Sequence, residues 1–228
     1  MSYSLFMKRL QLTAIFLFLL FIGANGKNGG TEMQVGVRFL SPHEINDVLT
    51  REGFAKLNSN SFYWHIGRMI EFEKWIYNNK ICFLSAISEE NSKITQFRSW
   101  GYSIDGGYKI WSNDKMALYP YFNISCMFSR FNTQQKTEAK SFLSVYQQSI
   151  FDRTFINRGE LSSALGLSFM VKSGVSFYTI RGGYNFRLWQ DKWTYARNVV
   201  DFPKVDCRGW EIGITWGILS KKCIKKEE

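Results

Sequence analysis

The sequence predicts an all-β fold: an eight-stranded antiparallel up-and-down transmembrane β-barrel with a short helix in its first outer loop. Three observations carry this. Eight segments alternate apolar and polar residues, as strands with two unlike faces do. Their connections alternate between short and long. The polar faces hold charges of both signs and the apolar faces hold bulky side chains, a division that suits hydrocarbon outside a cylinder and ions within it.

The chain opens with Lys8 and Arg9, then a nearly unbroken apolar run from Leu10 to Ile22, then the small residues Ala24 and Gly26. Residues 1–26 therefore read as a secretory signal peptide. Roughly 13 apolar residues are short for a spanning helix, which needs about 20. No later stretch would serve, so any membrane crossing is by strands. The barrel domain is assigned to 31–219 and a basic tail, "SKKCIKKEE", to 220–228. The net charge of +10 in an exported chain points away from nucleic acid and toward anionic headgroups or polysaccharide. The expected partners are thus outer-membrane lipid and a surface ligand or polysaccharide, and the expected location is the bacterial outer membrane. Cys82, Cys126, Cys207 and Cys223 show no CxxC spacing and no disulfide framework.

The eight segments are 32–39, 61–77, 80–88, 96–111, 116–131, 160–171, 175–190 and 208–219. Short turns are expected at Asn78–Asn79, at "SNDK" (112–115) and at "KSG" (172–174); long connections at about 40–60, 89–95, 132–159 and 191–207. In the first long connection "SPHEINDVL" predicts a helix: Ser41 as N-cap, Pro42 in the first turn, Glu44 completing a capping box and Gly53 ending it. Its stripe of Ile45, Val48 and Leu49 is expected to pack on the barrel rim or close its mouth, with a ligand or partner surface as the alternative. The connection 132–159 is too apolar for plain disorder and reads as a hairpin extended above the membrane.

The polar faces supply a lumen network: Arg38, His65, Glu71, Glu73, Asp105, Lys109, Asn123, Arg181, Arg187 and Glu211, with Gln34 and Asn185 on the same parities. Buried charges need partners, and both signs are present. Trp64, Trp100, Trp189 and Trp210 fall near one end of the strands and Trp75, Trp111 and Trp216 near the other, as interfacial girdles do; Trp193 falls in a loop. Arg68 resists, lying on an apolar track, where a bulge at Gly67 or a wet mouth would relieve it; Lys74, near a turn, can snorkel. His43 and His65 are the only histidines, and GxSxG, HExxH and phosphate-loop patterns are absent. No catalytic, metal or cofactor residue is assigned. The expected function is non-enzymatic: a barrel with a polar, plugged lumen and a structural or surface-binding role through its outer loops. The alternatives are a soluble periplasmic or secreted lipocalin-like barrel holding an apolar ligand, and a barrel-embedded enzyme using His65 with Glu71 or Asp105.

"GYSIDGGYKIW…LYPYF", "RGGYNF", "GWEIGITWGI" and "EINDVLTREGFAKLNS" resemble segments of small outer-membrane barrels of the OmpA/OmpX type and OmpW-like proteins, and more closely those of uncharacterised bacterial barrel proteins of similar size. The resemblance spans roughly 31–219 and implies the barrel fold without any catalytic residue. One departure is the tail: many such barrels end on an aromatic residue, and this chain runs on to Glu228.

Overall fold

The computed structural model describes residues 29–135, 153–195, 198–200 and 205–220. The leader, the centre of the 132–159 connection and the tail after Ser220 lie outside the described residues. In chain order the elements are β1 (Gly29–Phe39), α1 (His43–Arg51), β2 (Asn60–Glu71), β3 (Trp75–Glu90), β4 (Lys93–Tyr108), β5 (Trp111–Ser112), β6 (Met116–Gln135), β7 (Arg153–Ser173), β8 (Ser176–Gln190), β9 (Trp193–Tyr195), β10 (Asn198–Val200) and β11 (Gly209–Leu219). Eight of these, β1, β2, β3, β4, β6, β7, β8 and β11, pair each with the next, and β11 returns to β1. Every pairing is antiparallel, so the sheet closes on itself and its barrel strands have no free edge.

The faces divide as the alternation predicts. On β11, Trp210, Ile212, Ile214, Trp216 and Ile218 are exposed while Glu211, Gly213, Thr215 and Gly217 are buried. On β4 and β8 the contrast is starkest: Asp105 is 2% and Arg181 6% exposed, while Ile180 is 57% exposed. Tryptophans stand at both rims, with Trp75 and Trp111 at the turn end and Trp100, Trp189 and Trp210 at the helix end, all exposed. From Trp100 to Tyr108 the strand climbs about 20 Å at the usual tilt, close to the apolar band of roughly 25 Å that a bilayer requires. This is the architecture of a transmembrane barrel.

Three local expectations are corrected. The β2–β3 turn lies at 72–74, where the Phe72 N–H bonds to the Trp75 carbonyl at 2.8 Å, and not at Asn78–Asn79, which sit inside β3. The run "RMIEFEKWIY" alternates straight through its turn, so periodicity alone cannot see the bend. The connection at 89–95 is not long: β3 and β4 join through Asn91 and Ser92, with φ of 48° and 61°, the left-handed pair that a tight type I′ hairpin demands. The strict alternation of long and short connections therefore fails there. The helix begins at His43 with Pro42 in the cap position and no side-chain cap bond; Ser41 instead donates its N–H to the Asp206 carbonyl at 3.2 Å. Gly53, at φ +67°, ends the helix as expected.

Candidate functional site

The lumen is filled in layers. At the helix end, Ile45 and Leu49 of α1 join Leu40, Leu57, Trp193 and Val205 over the barrel residues Tyr63, Leu84, Phe97 and Phe131. Ile45 and Leu49 of the predicted stripe thus cover the mouth, while Val48 is half-buried beside them. Asn46 ties the helix to the returning chain, donating to the Leu57 carbonyl at 3.1 Å and accepting from the Leu57 N–H at 2.7 Å. At the turn end a second apolar layer contains Met69, Ile76, Tyr119, Tyr121, Met170 and Phe177. Between these lids lies the ionic layer.

Its centre is Asp105 on β4. The carboxylate accepts from Lys80 Nζ at 2.5 Å, from Arg181 Nη1 at 2.6 Å and from the Asn123 amide. Lys80 also reaches Glu32 at 3.4 Å. Gln34 knits the layer: its Oε1 accepts from Lys80 at 3.0 Å and Arg181 at 3.3 Å, and its Nε2 donates to the Tyr63 hydroxyl at 3.0 Å. A second focus pairs Arg38 with Glu211 at 2.8 Å, and Tyr121 donates to the other Glu211 oxygen at 3.3 Å. The Arg181 guanidinium lies 3.7 Å from the centre of the Tyr121 ring. Three acids, Glu32, Asp105 and Glu211, thus meet three bases, Arg38, Lys80 and Arg181. Glycines make the room: a Cβ on Gly67 would strike Lys80, and one on Gly36 or Gly213 would strike the Tyr63 ring or hydroxyl.

Of the sequence-predicted residues, Arg38, Asp105, Asn123, Arg181 and Glu211 meet in this layer. Glu71 and Lys109 form a separate group at the turn end, 2.6 Å apart, joined by Lys172 at 2.7 Å. Arg187 stands near the helix end, 3.3 Å from Gln190 and 4.0 Å from Asp206. Glu73 is corrected: it lies in the exposed 72–74 turn, where its backbone carbonyl accepts from Lys109 Nζ at 3.2 Å. Alternation carries through the bend and gives it the inner parity, which the turn breaks. His65 faces the lumen, but its Nδ1 has no hydrogen-bond partner, and Asp105 is engaged by other groups. Arg68 points outward and is exposed, with unbroken register at Gly67, so no bulge relieves it; it pairs across to Asn79 and Thr31 near the turn end. Sequence reasoning missed Lys80, Glu32 and the tyrosines. Lys80 shares its parity with Asn78 and Cys82, a signal hidden by placing the turn at Asn78–Asn79. Among the described residues no cluster of His, Cys, Asp or Glu could hold a metal.

Among the described residues, a cavity in this layer lined by groups including Arg38, His65, Asp105 and Arg181 measures about 10 Å³, room for about one water.

No protein-family model matches the chain, and no curated protein matches it. Among solved structures the chain is similar to Ail, the attachment invasion locus protein of Yersinia pestis, at 13% identity and a TM-score of 0.44, over 86% of this chain and 99% of that one. Ail in complex with the heparin analogue sucrose octasulfate matches at 14% identity and 0.47, over 85% and 98%. Neisserial surface protein A matches at 9% identity and 0.46, over 85% and 97%.

Proposed function

We propose that this chain is a non-conducting, non-enzymatic barrel of the bacterial outer membrane, exported by the 1–26 leader, whose role is structural or surface-binding through the elements at its helix end. One observation carries the reading: a bulky apolar exterior of bilayer height encloses a charge-balanced interior closed by an apolar lid at each end. Buried in a soluble protein, that exterior would need a partner over its whole circumference; in hydrocarbon it needs none. Two apolar lids and, among the described residues, an ionic layer whose cavity is about 10 Å³ support a lumen that neither conducts ions nor holds a lipocalin-type ligand. The lumen network serves as a structural plug, and the outer surface offers lipid-facing and loop-borne contacts, with a surface polysaccharide as one partner class.

Flotation with lipid vesicles, read with heat-modifiable gel mobility, tests the membrane location. The expected result is a floated chain with a compact, heat-sensitive band. A monomer that stays in the aqueous fraction without detergent would sink it. Planar-bilayer recording tests the plug: steady conductance of porin size would refute it.

A further inference from the structure

Just above the apolar belt the barrel's outside presents two arginines for which the described residues supply no counter-charge. β4 and β6 run in unbroken register. On their outward parity the rungs read, from the membrane upward, Ile104–Ile124, Tyr102–Cys126, Trp100–Phe128, Arg98–Arg130, Gln96–Asn132 and Ile94–Gln134. The apolar rungs end where the Trp100 and Phe128 rings stack at 5.0 Å. The next rung sets Arg98 directly opposite Arg130, and both are exposed. Like charges facing each other across a strand pair destabilise a sheet. Neither arginine forms an ion pair among the described residues. On the flanking strand β3 the register neighbours of Arg98 and Gln96 are Ser85 and Ile87; Glu89 lies opposite Ile94, about 13 Å up the strand from Arg98. Gln96, with its amide oxygen turned to the guanidinium, accepts from Arg98 at 2.8 and 3.1 Å, which holds that side chain in place. Gln96, Arg98, Arg130, Asn132 and Gln134 together line a groove of about 190 Å³.

We propose that this rung is a phosphate subsite for an amphiphile of the outer leaflet, a phosphorylated glycolipid. Its phosphate bridges Arg98 and Arg130, its sugar lies on the half-buried Gln96 and Gln134 above, and its acyl chains run down over Trp100 and Phe128. A guanidinium fork suits a phosphate bidentately, and an anion between the two turns a repulsive rung into an attractive one. The height of the site decides for a lipid over a soluble polyanion: the cations sit one rung above the apolar belt, at headgroup depth, with a hydrocarbon-compatible track directly beneath. The inference rests on the membrane location proposed above.

The test uses the full chain folded in zwitterionic detergent micelles. The native chain, R98Q/R130Q and R98K/R130K are titrated with a bisphosphorylated, acylated diglucosamine lipid and with its dephosphorylated form. Bound lipid is counted by native mass spectrometry, and the unfolding midpoint is read from the heat-modifiable band. The native chain is expected to bind the phosphorylated lipid at least tenfold more tightly than the dephosphorylated one, and to gain midpoint from it. R98Q/R130Q is expected to lose that preference yet, without lipid, to unfold no earlier than the native chain, since its repulsive rung is gone. R98K/R130K, charged but without the fork, falls between. Equal binding of the two lipids, or an undiminished phosphate preference in R98Q/R130Q, overturns the proposal. So does a preference at this pair for a heparin-like sulfated oligosaccharide over the phosphorylated lipid. Flotation with phosphatidylcholine vesicles keeps the failures apart: chains that float without phosphate selectivity refute the subsite alone, and chains that do not float refute the membrane location and the subsite with it.

Discussion

Arg38 and Arg181, inside the barrel, each meet a carboxylate; Arg98 and Arg130, outside it, meet each other. The same side chain is placed under opposite rules on the two faces of one sheet. Inside, a charge that lost its partner could not recover solvation, so acids and bases are matched. Outside and just above the belt, water and headgroups are at hand, and an unmatched pair is tolerated. Matched charge inside is therefore a requirement of folding, while charge on the outer wall is free of that requirement.

The largest effect should come from breaking the match at its centre. Asp105→Leu strips Lys80 and Arg181 of the carboxylate they share at 2.5 and 2.6 Å, leaving two buried cations short of a partner. Loss of one partner of a buried ionic group costs about 3–5 kcal/mol. Urea unfolding of the refolded barrel, followed by tryptophan fluorescence, should show a loss of that size. Combining Asp105→Leu with Lys80→Met should recover part of it. A loss under about 1 kcal/mol, the level of exposed ion pairs, would mean that water enters the lumen and that inside and outside do not differ.

The next effect concerns space. A Cβ at Gly166 would meet the Gly182 carbonyl oxygen, the Tyr121 ring and the Gly183 Cα. Gly166→Val therefore forces backbone as well as a side chain to move, and overpacking of this kind costs about 1–3 kcal/mol. On the outer wall, by contrast, a Cβ at Gly106 meets nothing within 4 Å, and Gly106→Val should unfold within about 0.5 kcal/mol of the native chain. Equal losses at the two glycines in the same urea experiment would erase the distinction between a packed lumen and an open wall.

How much of this was legible follows from the period of a strand. Two-residue alternation carries the fold, and it assigns Arg38, Asp105, Asn123, Arg181 and Glu211 to the inner face because each belongs to a segment whose alternation no bend interrupts. It failed where alternation runs through a bend. "EFEKW" keeps its rhythm across the 72–74 turn, so alternation alone puts Glu73 on the inner face and leaves Lys80 at a strand's edge. The tight Asn91–Ser92 turn was hidden for another reason: its left-handed residues lack the glycine that usually announces them. The arginine rung was present on the parities of Trp100 and Phe128, but single-strand patterns do not say which residues face each other. That Arg98 opposes Arg130 is a statement about register, and register is fixed by closure of the whole barrel.

The smallest expected effect asks whether an ion pair outside the lumen behaves as the comparison requires. Asp206 lies in the segment between β10 and β11, where its carbonyl receives the Ser41 N–H and its carboxylate accepts from Arg208 Nε at 2.8 and 2.9 Å and from Nη2 at 2.5 Å. Partial burial pushes its pKa up, but the Arg208 hydrogen bonds outweigh it and hold the group below its usual 3.8. A carboxyl with a depressed folded pKa adds stability above its unfolded value and loses it as pH falls through the folded one. The contribution is thus present at neutral pH and disappears below 3.8. Because Arg208 is exposed and Asp206 only partly buried, screening keeps the contribution small. The unfolding midpoint of Asp206→Asn should lie slightly below that of the native chain at pH 6, and the two should converge in a series carried to about pH 2. Salt at about 1 M should shrink the pH 6 difference, as it should not for Asp105→Leu. A difference that survives both acid and salt would show that Asp206 is held as the lumen charges are, and that the boundary between matched interior and solvated exterior lies further out than the apolar lid.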